Sequence, residues 1–120
     1  MAKYQYFEEL PIWQEARLLV KEIYQITLKG GLKTDFGLAG QMQRAAISVM
    51  ANIAEGFERN SDKDFSRFLD ISKSSCGELR SQLYVAFDLG YIPENTLNNY
   101  RKKCIRLSRQ ISGFRKYLKK

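Results

Sequence analysis

The chain has 120 residues, 20 Lys and Arg against 13 Asp and Glu for a formal charge of +7, 44% apolar residues, two prolines, two cysteines and no histidine. This is one small basic domain, able to bury roughly two thirds of the surface its unfolded chain exposes and to fold without a disulfide or metal. Lack of His excludes Ser/His and Cys/His nucleophile systems and His-containing zinc sites, and two thiols are too few for a Cys-only zinc site, so neither catalysis nor a metal or other cofactor is expected.

Residues 1–10 read as an extended arm rich in aromatics (Tyr4, Tyr6, Phe7). This start lacks the apolar stretch of a signal peptide, and no later run approaches the ~18 apolar residues of a membrane span, so a cytoplasmic protein without membrane contact is expected. Four segments then place apolar side chains on one helical face by alternating steps of three and four. The first carries Ile12, Ala16, Leu19, Ile23 and Ile26, opened by Pro11 and closed by Gly30-Gly31. The second carries Leu38, Met42, Ala45, Val49 and Ile53 and ends between Gly56 and Asn60. Ser61 and Asp64 resemble a capping box that opens the third, with Phe65, Leu69, Ser72, Cys76, Leu79, Leu83 and Ala86. Gly90 suits a left-handed cap, and residues 62–89 would span about 42 Å at ~1.5 Å per residue. Pro93 starts the fourth, whose stripe Leu97, Tyr100, Cys104, Leu107, Ile111, Phe114, Leu118 never breaks its period. Connections of a few residues force neighbours to run antiparallel, which predicts an all-α, up-and-down, antiparallel four-helix bundle forming a single domain over 1–120. Cys76 and Cys104 fall on apolar stripes and read as buried free thiols.

Residues 1–100 hold 11 basic and 13 acidic side chains, whereas 101–120 hold nine basic and none acidic. The basic excess is therefore Arg101, Lys102, Lys103, Arg106, Arg109, Arg115, Lys116, Lys119 and Lys120, all off the apolar stripe and expected to face solvent or a partner. A solvated helix end accounts for such cations. Nine of them without one acid favour a surface for nucleic-acid phosphates, where each neutralised phosphate releases a counterion. No base-reading motif accompanies them, so binding should be independent of sequence.

Helix two carries a second, polar row of Gln41, Arg44, Ser48, Asn52, Glu55 and Arg59, and helix three carries Arg67, Ser75, Glu78 and Gln82. In a hairpin turning near residue 60, facing residues have numbers adding to about 122. Arg44 is then expected opposite Glu78, Glu55 opposite Arg67, Gln41 opposite Gln82, and Ser48 opposite Ser74 or Ser75. The arrangement reads as a structural polar layer that fixes helix register.

Several of these stretches carry a family likeness: Trp13-Gln14-x-Ala16, Phe36-Gly37-Leu38-x-x-Gln41, Arg44-Ala45-Ala46-x-Ser48, Asn52-Ile53-Ala54-Glu55-Gly56, Phe65-x-Arg67-Phe68-Leu69, and Glu78-Leu79-x-x-Gln82-Leu83 followed by Leu89-Gly90-Tyr91-Ile92. Over residues 10–118 the chain resembles the 23S rRNA intervening-sequence proteins, also called four helix bundle proteins. The resemblance implies a homopentameric bundle encoded within an insertion of the large ribosomal RNA gene. It also implies kinship with the accessory subunit of diversity-generating retroelements, a basic bundle that binds reverse transcriptase and nucleic acid. No catalytic residues come with it. Met50 stands where the family often has Pro, and Gln43 where a second Arg is frequent.

The leading expectation is a non-enzymatic oligomeric accessory protein that binds RNA or other nucleic acid through helix four. The alternative is a pentameric scaffold that docks another protein, such as a reverse transcriptase. Self-association follows from surplus apolar residues outside the stripes: Trp13, Leu18, Val20, Tyr24 and Leu28 on helix one, Phe68, Ile71, Tyr84, Val85 and Phe87 on helix three. Contact through two different faces of a subunit closes a ring and permits an odd number; five itself comes only from the resemblance.

Overall fold

The computed structural model describes residues 4–118. Pro11, whose missing N–H costs nothing in a first turn, starts α1 (Pro11–Thr27). A 3-10 turn over Gly30–Lys33 leads to Asp35, the N-cap of α2 (Phe36–Phe57). One Asp35 carboxylate oxygen accepts the Leu38 N–H at 3.1 Å and the other accepts the Tyr91 hydroxyl at 3.0 Å, which ties this cap to the α3–α4 connection. Ser61 caps α3 (Asp62–Asp88) by accepting the Asp64 N–H at 3.1 Å. The Asp64 carboxylate turns instead to Arg67, so the expected reciprocal box is replaced by an ion pair within the first turn. Gly90, at φ +76°, ends α3. Its N–H reaches Phe87 O and that of Tyr91 reaches Ala86 O, both at 2.9 Å, the Schellman pattern that a residue without Cβ enters at no steric cost. Pro93 then offers its carbonyl to Thr96 and Leu97 at the start of α4 (Glu94–Leu118).

The four helices pack as an antiparallel bundle with extents of 46 × 20 × 19 Å, and no strand occurs among the described residues. Buried Ile12, Ala16, Leu19 and Ile23 of α1 meet Met42, Ala45, Val49 and Ile53 of α2; Phe65, Leu69, Cys76, Leu79 and Leu83 of α3; and Cys104, Leu107 and Ile111 of α4. Ile26, Leu38, Tyr100 and Phe114 are only half-buried and pack at the margin of this core.

Small residues bring α2 and α3 closest. The buried Ser72 hydroxyl donates to Val49 O at 2.7 Å, and the Ser48 and Ser75 hydroxyls meet at 2.8 Å. A Cβ on Gly56 would lie 2.7 Å from the Phe65 ring and 2.8 Å from Phe68 Cβ, so even alanine would force the hairpin apart. These contacts establish the register expected from the polar rows.

The expected ionic pairs across that register do not form. Glu55 pairs with Arg59 one turn away at 3.2 Å, and Arg67 pairs with Asp64 at 3.1 Å. Both guanidiniums also lie over the Phe68 ring, at 4.8 and 5.6 Å. Partners three and four residues away on the same helix are reached with little ordering cost, and they win over a partner across an exposed seam. Arg44 and Glu78 line one shallow groove with Gln41, Ser48 and Gln82, but no ion pair joins them; the Arg44 guanidinium folds back over Gly40 of its own helix.

Nor is the N-terminal segment an extended arm over its described part. Phe7–Glu9 forms a 3-10 turn in which the Glu9 carboxylate accepts the N–H groups of Gln5 (2.7 Å) and Tyr6 (3.2 Å). Leu10 is fully buried, Phe7 packs on Trp13 with ring centroids 5.2 Å apart, and Tyr4 lies against Phe114. The Tyr4 and Phe7 rings, which would sit in water as part of an arm, are partly covered by the protein's own bundle, while Tyr6 stays exposed.

Candidate nucleic-acid interface

The spacing that puts Leu97, Cys104, Leu107, Ile111 and Leu118 in the core puts the cations of α4 on its other sides, and the neighbouring helices divide them into two groups. On the side facing α1, Lys103 Nζ donates to both Glu22 carboxylate oxygens at 2.9 and 3.0 Å, and Arg106 stands 3.7 Å from Glu15. Lys103 also lies 4.9 Å from the centre of the Tyr100 ring. Burial is the main reason the Tyr100 hydroxyl is raised above its ordinary pKa; Glu22 adds to the shift and Lys103 opposes it. On the side facing α3, Arg115 forms a fork with Asp70 at 2.7 and 3.0 Å. Lys103, Arg106 and Arg115 therefore pair with acids of neighbouring helices; Arg106 still faces solvent as expected, whereas Lys103 and Arg115 are partly covered.

Arg101, Lys102, Arg109 and Lys116 form no ion pair among the described residues; Lys119 and Lys120 lie outside them. Lys102, Arg109 and Lys116 are exposed and seven residues apart, so they form one outward row of about 21 Å at ~1.5 Å per residue. Each long side chain keeps its charge in water at no desolvation cost, the state from which a phosphate contact releases counterions.

The surface contains cations that the charge count along the chain did not single out. Lys73 and Arg80 of α3 are exposed, and with Gly77, Cys104 and Ser108 they line a groove of about 320 Å³ between α3 and α4. Their sequence signal was a seven-residue step beside the apolar stripe of α3, hidden because the excess over residues 1–100 is acidic.

Cys76 and Cys104 are free, buried thiols at the base of this groove. Burial pushes both up to about 12, with the Cys104 charge adding to the shift at Cys76 and Arg80 opposing it at Cys104. At neutral pH they are protonated and serve as small apolar core groups. Among the described residues no three Cys, Asp or Glu side chains gather as metal ligands. No helix among the described residues is long and apolar enough to cross a membrane.

The fold and this surface define a small all-α bundle with a row of unpaired cations along the outer side of its last helix. Residues 8–113 match the family described as 23S rRNA-intervening sequence protein, and the chain belongs to that family. A solved structure similar to it is a protein of unknown function from the S23 ribosomal protein family of Bacteroides thetaiotaomicron. That structure superposes with a TM-score of 0.79 at 18% identity, covering 88% of this chain and 98% of its own, a likeness of fold. None of the curated proteins compared matches the chain.

Proposed function

We propose that this protein is a non-enzymatic, oligomeric accessory protein of the cytoplasm that binds nucleic acid, RNA foremost, without sequence preference through α4. The observation that carries the reading is the set of Arg101, Lys102, Arg109 and Lys116, with no ion pair among the described residues and no acid anywhere in residues 101–120. Membership of a family named for 23S rRNA intervening sequences makes RNA the favoured polyanion. Replacing these four by Gln should weaken binding to unrelated RNAs by similar factors and lower the slope of log affinity against log salt by about three, at ~0.7–0.9 per phosphate contact. Fluorescence anisotropy across a salt series measures this. An unchanged slope, or no binding by the wild type at ~50 mM salt, leaves only a solvated helix face.

A second reading, a pentameric scaffold that docks another protein such as a reverse transcriptase, is favoured by the exposed apolar side chains. Leu18 (50% exposed), Tyr24 and Leu28 (65%) on α1 and Ile71, Tyr84 and Val85 on α3 support partner contacts on two faces, whereas Trp13, Val20, Phe68 and Phe87 are half-buried within the subunit. Contact between unlike faces closes a ring, and the family resemblance supplies the number five. Light scattering at micromolar concentration is expected to give five 14.0 kDa subunits, about 70 kDa. A mass near 14 kDa overturns self-association, and a dimer mass overturns the ring.

A further inference from the structure

We infer that the groove between α3 and α4 is a seat for one sugar–phosphate backbone of a double-helical nucleic acid, gripped by Lys73 and Arg80 of α3. The inference rests on the nucleic-acid reading above and extends it to residues of a second helix. The groove is built from two facing rows. On α3, Asp70, Lys73, Gly77 and Arg80 follow one another at steps of three and four, and on α4 Ser108 and Arg115 lie seven apart, so each set shares one helical side. The Asp70–Arg115 fork joins the rows at one end and neutralises the only acid in either. Beyond it the side chains are cationic or small. Lys73 and Arg80 are exposed and form no ion pair among the described residues, and a Cβ built on Gly77 meets no atom within 4 Å, so the floor between them is open.

Small floor residues flanked by long cationic side chains fit a narrow polyanionic strand, and the outward row of Lys102, Arg109 and Lys116 continues the positive surface beside it. The choice of a double helix follows from what lines the groove. Proteins that hold single strands stack bases on aromatic rings, and no aromatic residue lines this groove. With nothing to receive an unpaired base, the groove is suited to phosphates alone, as when bases remain paired inside a duplex. About 10.5 Å separates cations seven residues apart on one helix, several times the ~3.4 Å axial spacing of charges along one strand, so Lys73 and Arg80 can contact different phosphates of the same backbone.

The test uses the full chain with a 20-base-pair RNA duplex, the DNA duplex of the same sequence, and the corresponding single strands, across a salt series. Lys73→Gln with Arg80→Gln should lower duplex affinity at least tenfold at ~50 mM salt and reduce the salt slope by about 1.8. The wild type should then lose about 12-fold more affinity than the variant between 50 and 200 mM. Gly77→Glu, which places an acid in the open floor, should lower affinity further. Lys21→Gln with Lys29→Gln removes the same charge from α1 and the turn that follows it and should change affinity by less than about threefold. Comparing the two duplexes shows whether the backbone is that of RNA or DNA. Duplex binding unchanged in both groove variants overturns the seat while leaving the α4 reading intact. A single strand bound as tightly as either duplex overturns the double helix. Failure of the wild type to bind any of the four probes removes the nucleic-acid reading itself.

Discussion

Truncating Leu79 to alanine is expected to destabilise the protein by about 2–5 kcal/mol, the range for a fully buried leucine in a packed core. Leu79 is 0% exposed and sits mid-way along α3, the helix packed between α2 and α4. The loss has two parts, the transfer free energy of the removed methyl groups and the cavity they leave, and a packed core collapses only partly around such a cavity. A domain of this size is stable by roughly 5–15 kcal/mol, so the change consumes a large share of the margin. Urea unfolding should show a lower midpoint with an unchanged slope. A change below about 1 kcal/mol would mean that the α2–α3–α4 interior is looser than its burial indicates.

Stability should also fall steeply at alkaline pH because of the two buried thiols. Cys76 and Cys104 are 1% exposed, and both are pushed up to about 12 from 9.0. Below pH 9 both thiols are protonated whether the chain is folded or not, and their protonation state costs nothing. Above it the unfolded chain ionises them and the folded chain does not, so the unfolded state binds fewer protons and folding loses about 1.4 kcal/mol per thiol per pH unit until pH approaches the folded value. Between pH 9 and 11 the two together contribute a loss of about 4 kcal/mol. Tyrosines and lysines titrate in the same window, so the measured quantity is the difference from Cys76→Ala with Cys104→Ala. That variant starts less stable because of its cavities, and its deficit should shrink or reverse as pH rises from 8.5 to 11. A deficit constant across this range would show that the thiols ionise alike in both states.

The bundle was legible because helix period and termini are local properties. The unbroken steps along Leu97 to Leu118 fix which side of α4 is buried, whatever lies opposite. Gly90 and Ser61 mark the ends of α3 through bonds made within a few residues. The α2–α3 register was legible as well, since a short turn fixes which residues sit at one height and Ser48 and Ser75 are small enough that only one separation lets them meet.

Charge partners were not legible from the same pattern. Long side chains reach several groups at similar cost, so the choice depends on rotation and spacing of helices that the sequence pattern leaves open. Glu55 and Arg67 found partners on their own helices, Lys103 and Arg106 turned to α1, and Arg115 crossed to Asp70. The sequence by itself determined the number of helices, their buried faces and the excess of cations in the last one. Tertiary structure decided which cations remain unpaired, and it alone set Lys73 and Arg80 beside α4, because a groove between helices exists only once both have taken up their rotation against a common core.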